Sequence, residues 1–142
     1  MTPTLIVDAS VALKWVLPEE DSGLAEGMLD RGAMLRAPAF IFVELANALW
    51  FQMRAGKLNA AEAAGCMRDL RESPLELWDG EEPLPSALEW ARRLDHAVYD
   101  CAYLALALHL DGTYVTADRR FWQKAGTRDD LRDRIVLLAD LR

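Results

Sequence analysis

The sequence predicts an α/β domain with a central, mainly parallel, five-stranded sheet and helices on both faces. Short apolar segments alternate with helical segments along the chain, the order that builds parallel sheets with right-handed crossovers. The first of these segments, Thr4-Leu5-Ile6-Val7, is apolar without alternating, as a strand buried on both faces must be. Two strands run straight into aspartates, Asp8 and Asp118. They place acids at the carboxyl edge of the sheet, where open α/β folds bind ligands.

The elements follow in order. After the first strand, Ser10 is suited to cap a short helix over 11–17, stopped near Pro18. A helix over 21–31 is predicted to open with acids in its first turn, as the helix dipole favours, and to end at Gly32. Residues 34–37 form the second strand, closed by Pro38. Pro38 is also expected to start the long helix 39–55, with Gly56 after its end. Asn59 caps a helix over 60–72. Residues 75–78 form the third strand, and Asp79-Gly80 begins a loop. Helices are expected over 86–95 and 98–110. Asp111-Gly112 turns into the fourth strand, 113–116. A short helix over 119–125 and a fifth strand over 135–138 complete the chain.

A chain of 142 residues is expected to form a single domain over 1–142, long enough for one core. With 52% apolar and 27% charged residues the composition is that of a globular protein rather than a disordered one. No apolar run approaches the roughly 20 residues a membrane span needs, and no signal peptide is legible. Cys66 and Cys101 show neither metal-ligand spacing nor a disulfide framework, which fits core thiols in a reducing cytoplasm. The net charge of −7 argues against simple electrostatic nucleic-acid binding and permits a cation site or a basic partner.

Four acids stand out by their apolar surroundings. Asp8 ends the first strand. Glu44 is the only charge between Pro38 and Gln52, with Asn47 on the same helix face. Asp100 is the only acid in the apolar stretch 97–108, and Asp118 ends the fourth strand. Each has an ordinary explanation: helix capping for Asp8 and Asp118, a solvent stripe for Glu44 and Asn47, a first-turn acid for Asp100. Together they are expected to meet at one sheet edge within metal-bridging reach. Carboxylates so crowded repel one another unless a cation compensates them. Oxygen ligands without His or Cys clusters suit Mg²⁺ or Mn²⁺, and such sites handle phosphates.

The series Val-Asp8-Ala-Ser10, Glu44-Leu-Ala-Asn47-Ala-Leu, Tyr99-Asp100-Cys-Ala-Tyr103-Leu-Ala-Leu-Ala and Val115-Thr-Ala-Asp118 resembles PIN-domain ribonucleases. It is most similar to the VapC-type toxins of bacterial type II toxin–antitoxin pairs. The resemblance covers nearly the whole chain. It implies a three-layer α/β/α PIN-like fold and a Mg²⁺- or Mn²⁺-dependent endoribonuclease. Asp8, Glu44, Asp100 and Asp118 match the family's acidic quartet, and Ser10, Asn47 and Thr116 match its supporting polar positions. It also implies an RNA substrate, a small cognate antitoxin and a homodimer.

On this reading Asp8 is the central metal ligand, Asp118 and Asp100 complete the cage, and Glu44 ligates or orients the attacking water. A metal lowers the pKa of its water, so no histidine is required. Neither His96, assigned to a turn, nor His109, assigned to a helix surface, receives a catalytic role. Lys14, Arg119 and Arg120, with Arg92, Arg93 and Lys124, are candidates for a basic rim that meets phosphate, or are ordinary solvated residues. Trp15, Trp50 and Trp122 are expected in the core or a dimer interface rather than stacked on bases. Two other readings are a catalytically silent PIN-like partner-binding module and a receiver-like signalling domain. The second expects an acid pair near the first strand and a lysine after the last, and this chain has neither.

Overall fold

A computed structural model describes residues 2–142. Its strands are β1 (Thr4–Val7), β2 (Met34–Pro38), β3 (Glu76–Trp78), β4 (Thr113–Thr116) and β5 (Ile135–Leu137). All pair in parallel, in the order β3-β2-β1-β4-β5. The helices are α1 (Ala9–Ala12), α2 (Ser22–Gly27), α3 (Ile41–Arg54), α4 (Ala60–Glu72), α5 (Leu84–Leu94), α6 (Val98–His109) and α7 (Arg119–Ala125).

The central strand β1 pairs Leu5 with Leu35 on one side and with Thr113 on the other. The chain builds outward from β1 through β2 and β3, then returns to add β4 and β5 on the opposite side. The switch point, where such sheets open a crevice, therefore lies between the carboxyl ends of β1 and β4. Asp8 and Asp118 follow these two strand ends.

The pleat sorts the sheet residues into two cores. Ile6, Ala37, Tyr114 and Ile135 face the larger one, with Leu45 and Leu49 of α3, Trp90 of α5, Leu104 and Leu106 of α6, and Phe121 of α7. Leu5, Val7, Leu35 and Val115 face the other, with Ala25 of α2, Met28 and Leu138. Helices thus cover both faces, giving the three-layer α/β/α arrangement. Gly112, at the entry to β4, lies against β1, and a Cβ there would stand 2.7 Å from the Thr4 carbonyl oxygen.

Several boundaries differ from expectation for local reasons. Asp8, not Ser10, caps the first helix, accepting the Val11 amide at 3.2 Å. The helix therefore starts at Ala9, directly after the strand, and tightens into a 3₁₀ turn over Leu13–Trp15. The second helix begins at Ser22 and carries no acid in its first turn. Ser22 Oγ accepts the Glu19 amide and donates to the Leu17 carbonyl, bending the chain so that Glu19 and Glu20 stay outside the helix. Pro38 closes β2 rather than opening α3, and the following Ala39 amide donates to the Trp78 carbonyl at 2.8 Å. α5 starts two residues early because Pro85 is tolerated in a first turn. The capping box of Asn59 and Glu62 starts α4 as the sequence predicts.

Candidate active site at the sheet edge

Asp8 is buried, only 5% exposed, and surrounded by donors. Ser10 Oγ donates to its Oδ1 at 2.5 Å, beside the Val11 amide. Tyr114 Oη and Thr116 Oγ1 both donate to its Oδ2 at 2.6 Å. The two small hydroxyls are themselves aimed by the backbone after β4. The Ala117 amide donates to Ser10 Oγ and the Asp118 amide to Thr116 Oγ1, each at 3.1 Å. Each hydroxyl accepts from an amide and gives its single hydrogen to Asp8, an arrangement built for an ionised carboxylate. Burial pushes the Asp8 carboxyl above the ordinary aspartate range, and these hydrogen bonds oppose that push.

The other three acids stand at helix starts around it. Glu44 lies in the first turn of α3 and Asp100 in that of α6, while Asp118 caps α7 by accepting the Arg120 and Phe121 amides. Four helix N-termini thus face this edge with acids, where the helix dipole offsets part of their repulsion. Burial raises the Glu44 pKa, a hydrogen bond from Tyr103 lowers it, and the charges of Asp100 and Asp8 raise it further. Asp8, Glu44 and Asp100 therefore share one electrostatic neighbourhood. Asp118 is joined to Asp8 through Thr116.

The four acids do not close into a ligand-spaced cluster. Among the described residues no group of three His, Cys, Asp or Glu side chains is arranged to hold a metal. Each acid instead has a donor of its own: the hydroxyls and amide at Asp8, Tyr103 at Glu44, His96 at Asp100, and the α7 amides at Asp118. Asp100 Oδ1, Glu44 Oε2 and Asp118 Oδ2 accept no protein hydrogen bond among the described residues. Those three carboxylate oxygens are hard donors of the kind Mg²⁺ or Mn²⁺ takes, so the donor chemistry suits such a cation although the side chains do not stand at ligand spacing among the described residues.

Three contributing side chains carry no role in the sequence reading. Tyr103 and Tyr114 are fully buried and stacked, their ring centroids 5.6 Å apart, and each sends its hydroxyl to a different acid. A buried tyrosine hydroxyl needs a partner, and that requirement was the available signal. His96 Nε2 lies 2.6 Å from Asp100 Oδ2, one helical turn away, so this turn histidine belongs to the site's surroundings. The i, i+4 spacing of His96 and Asp100 was legible.

The supporting and basic residues divide. Ser10 and Thr116 touch Asp8 directly. Asn47 is exposed on α3 and makes no hydrogen bond to the four acids among the described residues. Lys14 donates to the Glu20 carbonyl at 2.7 Å and lies 3.9 Å from Glu19, so it ties down its own loop rather than standing free for phosphate. Arg92 pairs with Glu89, Arg93 with Asp130, and Lys124 Nζ donates to the Asp95 carbonyl. Arg119 and Arg120 are exposed beside Asp118. Trp15 is half-buried and donates to the Ala25 carbonyl, whereas Trp50 is exposed. Cys101 is buried and its thiol pushed up to about 11 by burial, while Cys66 is only half-buried.

Comparison with known proteins bears on this geometry. The model of the PIN domain family matches residues 5–126. Ribonuclease VapC3 of Pyrobaculum aerophilum is 34% identical over 122 residues, covering 84% of this chain and 93% of that protein. PAE2754, also from Pyrobaculum aerophilum, has a crystal structure that superposes with a TM-score of 0.73 at 21% identity, covering 98% of this chain and 93% of its own. VapC20 of Mycobacterium tuberculosis, described as a Sarcin-Ricin loop cleaving toxin, superposes with a TM-score of 0.63 at 15% identity, covering 84% of this chain and 93% of its own. VapBC2 from Rickettsia felis, solved on a promoter DNA fragment, gives 0.64 at 13% identity, covering 94% and 96% respectively.

Proposed function

The chain belongs to the PIN-domain family, and from that membership we propose that it is a VapC-type toxin, a metal-dependent endoribonuclease restrained by a small antitoxin. The observation that carries this reading is Asp8: a buried carboxylate at the switch point of the sheet, with Glu44 and Asp100 near enough to act on each other by charge. Buried acids at such an edge have a purpose when a cation and a phosphate meet there.

Asp8, Asp100, Asp118 and Glu44 are the residues that would hold Mg²⁺ or Mn²⁺. A divalent cation there supplies positive charge to a phosphodiester and eases the ionisation of water. The protein's own part is positional. Ser10, Thr116 and Tyr114 hold Asp8, while Tyr103 holds one oxygen of Glu44 so that the other is available to ligate or orient water. Arg119 and Arg120, exposed next to Asp118, are the cations best placed to meet RNA phosphates.

Residues 1–142 act on this reading as one PIN domain in the cytoplasm. No helix among the described residues is long and apolar enough to cross a membrane. Exposed Val43, Trp50 and Phe51 on α3 support a homodimer. The antitoxin is supported by the likeness to VapBC2.

The test is purification without the partner, followed by incubation with total RNA with and without Mg²⁺ or Mn²⁺ and mapping of the cut ends. Metal-dependent cleavage that Asp8→Asn abolishes, with the fold intact by circular dichroism, is the expected result. Full metal-dependent cleavage by Asp8→Asn would remove Asp8 from the mechanism. A folded chain that binds a partner and cuts no RNA would instead be a silent PIN-like module.

A further inference from the structure

His96 sits in the turn between α5 and α6, outside the four acids. Its Nε2 lies 2.6 Å from Asp100 Oδ2, and the histidine side chain is only 14% exposed. The ring packs against Phe121, with centroids 4.8 Å apart. Phe121 is fully buried in the first turn of α7, and its amide donates to Asp118 Oδ1 at 3.1 Å. A second tie joins the same parts, since Lys124 Nζ of α7 donates to the carbonyl of Asp95, the residue before His96, at 2.7 Å. His96 is thus hydrogen-bonded to one acid and packed on the residue capped by another.

We propose that His96 is a positioning residue for the metal site, fixing the Asp100 carboxylate through Nε2–H···Oδ2 and registering it against the Asp118-capped start of α7. Oδ2 is taken by the imidazole, which presents Oδ1 as the ligating oxygen. Ligating carboxylates held by an outer hydrogen bond bind metal with less reorganisation, and loss of such a partner typically costs about 10–100-fold in metal affinity. The inference rests on the metal-dependent reading of the site, and its test is read separately from RNA cleavage.

Calorimetric Mn²⁺ titration of the full chain supplies that test, using His96→Ala, His96→Asn and His96→Gln. The glutamine amide nitrogen reaches the place of Nε2, whereas the asparagine amide falls short, at the place of Nδ1. Ala and Asn are expected to weaken Mn²⁺ binding by about 10–100-fold and Gln to restore most of it. The Mn²⁺ concentration for half-maximal cleavage should rise in parallel, with the turnover rate recovering at saturating metal. Melting without metal identifies a merely structural role, which lowers the midpoint of all three variants and leaves the Mn²⁺ affinity of the folded protein unchanged. Wild-type affinity in folded His96→Ala and His96→Asn overturns the inference. A wild-type chain that binds no Mn²⁺ overturns the metal-dependent reading itself.

Discussion

Thr116 Oγ1 donates to Asp8 Oδ2 at 2.6 Å while accepting the Asp118 amide at 3.1 Å. One hydroxyl thus joins two acids 110 positions apart in the chain. It can do so because β1 and β4 are neighbours in register, with Val7 opposite Val115, so both strands deliver their next residues to the same place.

Thr116→Val keeps the branched shape and removes the hydroxyl. A hydrogen bond to a charged group contributes about 1.5–3 kcal/mol, and a loss of that order is expected in urea unfolding. Thr116→Ser, which keeps the donor, should lose less. Cleavage should fall further in the valine variant than in the serine one.

Tyr103→Phe removes the donor on Glu44 without opening a cavity. The hydrogen bond lowers the Glu44 pKa, so its loss should move that pKa further above the ordinary glutamate value of 4.5. Carboxyl ¹³C titration by NMR reads this directly. A Glu44 signal that shifts downward would show that Tyr103 does not stabilise the charged form.

Stability against pH carries a definite sign. Asp8 and Glu44 bind their protons more tightly when folded than when unfolded, since both pKa values are raised. The contribution of these two groups to the stability of the metal-free protein should therefore be full below the ordinary carboxylate range and be lost as pH rises through their two raised values. Glu44→Gln should flatten part of that decline in melting experiments carried upward in pH from the ordinary glutamate value of 4.5. Added Mn²⁺ should raise the melting temperature at neutral pH, and Asp8→Asn should abolish that rise.

Arg119→Ala and Arg120→Ala should weaken RNA binding with little change in melting temperature, each lowering the salt slope of the association constant by about 1. Lys14→Ala should behave differently. Its ammonium is bound to the Glu20 carbonyl, so the change should loosen the 17–21 loop and leave the salt slope nearly intact.

The fold was readable because its signals are local. Unalternating apolar strands, the Asn59 capping box and the Gly32 and Gly56 turns each depend on residues close in sequence. The errors were local as well, where a side chain took an alternative bond, as Ser22 did before α2 and Asp8 did in place of Ser10. Capping takes only one oxygen of Asp8, since Oδ1 caps α1 while Oδ2 receives Tyr114 and Thr116.

By itself the sequence determined the class of fold and which acids stand at strand ends or helix starts, because periodicity and turn chemistry act over a few residues, and the motifs around those acids carried the family resemblance. Only the tertiary structure decided what each acid touches. Tyr103 reaches Glu44 across 59 positions and Tyr114 reaches Asp8 across 106. Such pairings come from strand register and from buried hydroxyls that must find acceptors, and neither is written in any short stretch of chain.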